Sequence, residues 1–489
     1  MRYIRPADRS QFVMMNTLDD LVSAEHPVRI LDVIIEQIVT SNPEQFAGDR
    51  SESDPGRPAF SPQTMLKLFL YGYLINCRAS RKLEVETKRN IELMWLLGTL
   101  SPDHWVIAEY RRMHGDQIKT ATTAFRQFLH AHKYIKAERV AIDGTKMKAN
   151  AKREMLTVEK IEKRLEHLDQ QLDEYLSKFA ENDLQDDLSD ELEDLDSNVP
   201  VNHHLVDKII ALQKQIEELT AHKKTIKNSR QTYLSPTDPE AQLMKTRDGK
   251  VPGYNIQSVV DETSHMIAAT EVLTNRDDHA ALPVMVKSLQ EELGVTPQVI
   301  TADTGYYTPD LIQQVETDTN AVCYIPLPQK EEDPSAVTFH YDVSTDRYTC
   351  SAGKPLVLLQ KNKRKGNSRA NVYRGTQCAD CRIPSQCTTS PHGRIVHRYH
   401  NQDWRDKYRD RMKKNVSKAV VALRKCLVEH PFGTIKLIGG KVPLLLRGAV
   451  KVATEINLYA TAYNFIRLLN CTRWDALTDQ VASYSWKLA

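Results

Sequence analysis

The chain has 489 residues, 41% hydrophobic and 27% charged, the make-up of a soluble globular protein too long for one core, so about two to four domains are expected. No run approaches the roughly 18 apolar residues needed to cross a bilayer, and the start, MRYIRPADRSQFVMM, lacks an apolar secretory segment, so a cytoplasmic location and no membrane partner are expected. A net charge of +2 and a pI near 8.0 exclude a uniformly basic surface; charge is concentrated instead in an acidic run at 181–196 and basic runs at 361–369 and 405–414.

In chain order, VRILDVIIEQIV predicts a first amphipathic helix, followed by the linker GDRSESDPGRP. SPQTMLKLFLYGYLIN predicts a second helix, with Ser61 as N-cap and Pro62 at its first position. SRKLEVETKRNIELMWLLG, stopped at Gly98, and a segment opened by Ser101-Pro102-Asp103 add further short helices. Residues 1–135 are therefore expected to form a helical N-terminal domain, a pattern that suits DNA binding and, nearly as well, an ordinary helical bundle. RVAIDG reads as the first strand, with Asp143 at its end on a glycine turn. Residues 151–235 interrupt the strands with two long amphipathic helices around an acidic loop, a helical hairpin.

GYNIQSVVDE and SHMIAATEVL then predict a β-hairpin, and HAALPVMVKSLQEELG a helix ending at Gly294. PQVITADTGYY supplies a strand, TPDLIQQVETD a helix and NAVCYIPLP another strand. Residues 331–400 read as an irregular, polar, cysteine-bearing insert, 402–428 as one long helix ahead of PFGTIKLIGG, and 450–469 as a last helix opening a tail at 451–489. With the inserts removed, the order is three strands, helix, strand, helix, strand, helix. That is an α/β, RNase H-like arrangement, a mixed sheet within residues 136–450. The first and fourth strands would be neighbours, so Asp143 and Asp303 would reach one site at the strand ends. Asp261, Asp277 and Asp278 read as turn and helix-capping residues.

The strings RPAFSPQTMLKLFLYGYLINCRASRKLE, AIDGTKMKANA, DPEAQLMKTRDGKVPGYNIQSVVD, ADTGYY, CADC, VEHPFGTIK and AYNFIRLLN span roughly residues 57–470. In that order and spacing the chain resembles an insertion-sequence transposase of the DDE class, in the RNase H-like integrase superfamily. The resemblance implies Asp143, Asp303 and Glu429 as catalytic acids, and Lys436, seven residues after Glu429, as the signature lysine. Where the family often has Tyr and Arg before the glutamate, this chain has Ala422 and Lys425; Arg424 or Lys425 would serve for the arginine in holding phosphate. Glu429 precedes His430-Pro431 at an expected helix end, where a carboxylate is unfavourable for stability.

Three crowded carboxylates call for hard divalent cations, Mg²⁺ or Mn²⁺, and two such ions suit in-line phosphoryl displacement. The implied activity is DNA transposition, cleavage of element ends and transfer of a 3′-hydroxyl into target DNA. The implied partners are the terminal inverted repeats, target DNA and further copies of the chain as a homo-oligomer, in association with the nucleoid. The rivals are an RNase H-like nuclease that does not join and a DNA-binding relative with dead chemistry. Of eight cysteines, Cys350, Cys378, Cys381 and Cys387 form a workable tetrahedral set for structural Zn²⁺, with free thiols the alternative.

Overall fold

The structure is a computed structural model that describes residues 17–47, 59–189, 201–228, 231–246, 249–328, 337–365, 368–378, 381, 387–388, 390, 392–439 and 443–488. Seven helices come first: α1 (Leu18–Leu21), α2 (Pro27–Ser41), α3 (Pro62–Leu74), α4 (Ser80–Glu86), α5 (Ile91–Leu96), α6 (His104–Met113) and α7 (Gly115–Ala131). The expected caps hold. Ser61 accepts a hydrogen bond from the Thr64 amide with Pro62 just inside α3, and Asp103 caps α6 through the Val106 amide. The linker at 48–58 lies outside the described residues.

The central sheet is mixed. It comprises β1 (Arg139–Lys148), β2 (Gln242–Thr246), β3 (Gly249–Asp261), β4 (Ile267–Leu273), β5 (Val299–Thr301) and β6 (Val322–Tyr324). The strand order is β2-β3-β1-β5-β6, and β4 also pairs with β3. β1 runs antiparallel to β3 and parallel to β5, with Val140 opposite Ile300 and Ala141 opposite Thr301. The antiparallel hairpin on one side and parallel strands on the other are as the element order predicts. β2 is an addition, in a stretch with no strand alternation clear enough to mark it. α10 (Ala281–Leu293) and α11 (Pro309–Thr319) are the crossover helices. Their C-caps, Gly294 and Asn320, sit at φ 68° and 57°, the left-handed region that ends helices.

The arm is a pair of helices, α8 (Val158–Ser189) and α9 (Val201–Asn228). At its base Leu156, Ile161, Ile226 and Leu234 form a separate small core, and Lys223 meets Glu162 at 2.9 Å. The tip, 190–200, lies outside the described residues, and with it residues 190–196 of the acidic run.

Two expectations need correction. The insert is not irregular throughout: β7 (Phe339–Asp342), β8 (Arg347–Cys350), β9 (Pro355–Lys365), β10 (Ser368–Gly375) and β11 (Ile395–Tyr399) form a second, antiparallel sheet in the order β11-β10-β9-β8-β7. Among the described residues its apolar cluster centres on Tyr348, Leu356 and Tyr373, with Ala370 and Val372 also buried and Tyr341 packed edge-on, so the sequence looks polar although the strands are regular. The long helix after it is two helices, α12 (Gln402–Lys413) and α13 (Asn415–Gly439), broken where Lys414 turns to ψ 144°. α13 does not end before Pro431 but runs through it. Pro431 removes one backbone donor, yet Phe432 and Ile435 beyond it are buried in the main core, and that packing carries the helix onward.

α14 (Ala449–Cys471) is buried nearly all round, from Val452 to Leu468, and α15 (Trp474–Ser483) closes the fold. One continuous core joins the N-terminal helices, the sheet and α14. Polar contacts cross it. Buried Arg126 of α7 donates to Glu292 of α10 and to Asn457 of α14, Thr270 of β4 donates to the same Asn457, and Arg78 meets buried Glu455 at 3.0 Å. Among the described residues no helix is long and apolar enough to cross a membrane.

Candidate active site

Asp143 lies inside β1, opposite Ser258 of β3, and the strand continues to Lys148 rather than turning at Gly144. The glycine serves a different need. A methyl group there would fall 2.2 Å from Gln257 Nε2 and 3.0 Å from Asp278 Oδ1, so only a residue without Cβ lets those groups close on the strand. Asp143 is largely buried, and burial pushes its carboxyl up to about 6. The Arg424 guanidinium opposes that rise from 3.4 Å, while Asp303 and Asp278 reinforce it.

Asp303 follows β5 and caps a one-turn 3-10 helix, Thr304–Tyr306, its Oδ1 accepting from the Gly305 amide at 2.8 Å. Because β1 and β5 are parallel neighbours, residues 160 positions apart arrive side by side, as the sequence predicts. Tyr306 is buried and donates to Gln257; burial, reinforced by Asp278, Asp143 and Asp303, holds its hydroxyl well above the ordinary range.

Asp278 is not a helix cap. Its Oδ1 accepts from Lys146 Nζ at 3.0 Å, Asn255 Nδ2 at 2.7 Å and Gln257 Nε2 at 2.7 Å, beside the other two acids. The sequence held a signal for it. Asn255 and Gln257 share one face of an otherwise apolar strand and are fully buried, and buried amides need a partner. Asp261 does act as a turn residue, accepting from the amides of Lys136, Ala137, Thr263 and Ser264.

α13 crosses this cleft. Leu427 packs on Ala141 of β1, Arg424 reaches Asp143, and His430 Nδ1 lies 3.3 Å from the Tyr463 hydroxyl. Glu429 is therefore in a helix interior, and the expected penalty of a carboxylate at a helix end falls away. The side chains of Lys425, Glu429 and Lys436 lie outside the described residues, whereas Ala422 is exposed on α13.

The donor set facing the cleft is all oxygen, partly buried and of one sign, which fits a hard cation. Among the described residues, however, no three His, Cys, Asp or Glu side chains close to metal-holding geometry. The cysteines of the second sheet are in the same position. Cys350, Cys378, Cys381 and Cys387 line one pocket with Arg394, and burial, then the neighbouring thiols, push the Cys387 thiol up against the opposing pull of Arg394. None of the eight cysteines is in a disulfide. The sulfurs converge, but not to a ligand shell.

Two protein families match the chain. Residues 16–113 match "Transposase domain (DUF772)" and residues 349–469 match "Transposase DDE domain". Each matched stretch is thus a transposase domain, the C-terminal one a transposase DDE domain. The DDE match takes in Glu429, Cys350, Cys378, Cys381, Cys387 and α14 as far as residue 469, and does not reach Asp143 or Asp303. No curated protein matches the chain. A similar solved structure is the piggyBac transposase in a synaptic complex with hairpin DNA, determined by cryo-EM, at 11% identity over 94% of this chain and 84% of that one. Its TM-score of 0.25 is too low to carry an argument.

Proposed function

We propose that this transposase cuts the DNA ends of its element and joins the freed 3′-hydroxyl to target DNA, using Asp143, Asp303 and Glu429. The observation that supports the reading is the parallel β1–β5 pairing, which sets two distant aspartates on one cleft beneath the helix that carries the glutamate. Divalent cations held by these acids, Mg²⁺ or Mn²⁺, would supply an activated water and neutralise the leaving oxygen. Burial pushes the Asp143 carboxyl up to about 6, so nearby positive charge favours its ionised form. Arg424 provides some of that charge and is placed to take a DNA phosphate when substrate enters. Lys425 and Lys436 are further phosphate contacts on the same helix. The N-terminal helices bind the element ends, and two ends are paired by at least two copies of the chain.

The test uses full-length protein with Mn²⁺, oligonucleotides that carry the ends flanking its own gene, and a target plasmid. Wild type joins pre-cut ends to the plasmid. Asp143→Asn, Asp303→Asn and Glu429→Gln lose joining while retaining end binding. Wild-type joining by any one of them rejects that residue. Cleavage of uncut ends without joining of pre-cut ones would make the chain a nuclease.

A further inference from the structure

On that reading of the cleft, we infer that Asp278 is a further acid of the cation-binding set, presenting Oδ2 toward the space beside Asp303. The two oxygens of Asp278 are in different situations. Oδ1 takes three donors, Lys146, Asn255 and Gln257, which fix the carboxylate in position and orientation. No donor among the described residues reaches Oδ2.

Gly305 locates that second oxygen. A methyl group built on Gly305 would sit 2.9 Å from Asp303 Oδ1 and 3.5 Å from Asp278 Oδ2, so the two oxygens flank the space that glycine leaves open, at most about 6.4 Å apart. Magnesium binds oxygen at about 2.1 Å and keeps several of its waters. A gap of that size suits one hydrated cation held by Asp303 and steadied by Asp278.

The surroundings are built for this group rather than for a cap. Asn255 and Gln257 are fully buried on β3 and direct their amides to it, and Gln257 also accepts from Tyr306. Gly144 leaves the opening through which it approaches β1. A structural carboxylate balanced by Lys146 alone would need neither the second amide nor the two glycines. Lys146 and Asp278 are each about one-fifth exposed, so the group faces the cleft and not the core.

Asp278→Asn is the discriminating variant, because an amide oxygen still accepts from Lys146, Asn255 and Gln257 while the charge and the free carboxylate oxygen are gone. Free Mn²⁺ is measured by electron paramagnetic resonance as it is titrated into DNA-free full-length protein. We expect D278N to weaken Mn²⁺ binding about 10–100-fold, D303N to weaken it at least as much, and the melting temperature of D278N in EDTA to match wild type. Wild-type Mn²⁺ affinity in D278N, with D303N impaired, overturns the inference and leaves the proposed function standing. Wild-type affinity in D303N too, or no Mn²⁺ binding by wild type, overturns both.

A second measurement needs no variant. Fe²⁺ with ascorbate and peroxide cuts a backbone near bound iron. Cuts near 143, 303 and 278 are expected, and cuts near 143 and 303 without one near 278 refute the assignment.

Discussion

Asp143→Asn should make the metal-free protein more stable, and the size of the gain follows from the cleft. In an unfolded chain the carboxyl titrates at 3.8; in the folded protein burial raises it to about 6 despite Arg424. Holding that carboxyl ionised therefore costs the folded state about 3 kcal/mol near neutral pH. The sign follows from proton binding. Between the two values the folded state binds more protons than the unfolded one, so the stability this group contributes is complete below pH 3.8 and lost as pH rises through about 6. Asparagine is close in shape and carries no charge, so it removes the cost. The expected gain in EDTA at pH 7.5 is up to about 3 kcal/mol, or roughly 3–5 °C in melting temperature for a chain of this length. Below pH 4 the variant and wild type should converge. Differential scanning fluorimetry at pH 4, 5, 6 and 7.5 reads the whole curve. With saturating Mn²⁺ the order should reverse, because the cation stabilises wild type and has lost a ligand in the variant. A variant less stable than wild type at pH 7.5 in EDTA, or a difference that ignores pH, would refute the picture of a buried, crowded acid.

Gly144→Ala should cost about 1–3 kcal/mol and disturb the site together, since its methyl group would push on Gln257 and Asp278; thermal melting and Mn²⁺ titration of one sample check both. Arg126→Ala should cost about 3–5 kcal/mol, because it strands Glu292 in the core between α7, α10 and α14, as urea denaturation would register. If the four clustered cysteines hold structural zinc, protein purified without chelators carries close to one zinc per chain, and Cys378→Ser loses it while Mn²⁺ binding is unchanged; zinc-free wild type assigns them as free thiols. End binding should weaken steeply between 50 and 200 mM salt, as fluorescence anisotropy would follow, if basic side chains supply the phosphate contacts.

The parts of the fold legible in the sequence are those in which local pattern and burial agree. Ser61-Pro62 and Asp103 announce helix starts through their capping chemistry, and the apolar runs around Ile142 and Ile300 announce strands buried on both faces. From those strands the pairing of Asp143 with Asp303 follows by topology alone. The second sheet was hidden because its buried apolar side chains are few among the described residues and many strand positions are polar. The course of α13 was hidden because Pro431 is a local stop signal, overruled by packing at Phe432 and Ile435. Asp278 was hidden for a third reason. An aspartate just before an apolar helix looks like a cap, and its true partners, Asn255 and Gln257, lie on another element. Capping is a local interaction and can be read from neighbours; a polar cluster across a sheet cannot.

The placement of α14 has a consequence for biosynthesis. This helix fills the gap between the first helices and the sheet, and just beyond it Trp486 stacks on Phe128 while its carbonyl accepts from Asn42. A nascent chain thus holds the apolar faces of α3, α7 and β4 open until α14 has left the ribosome, when these elements can close on it. Prematurely terminated products would expose that surface to proteases and self-association. Copies of the gene shortened at the 3′ end should accordingly yield little surviving protein, even with Asp143, Asp303 and Glu429 all encoded.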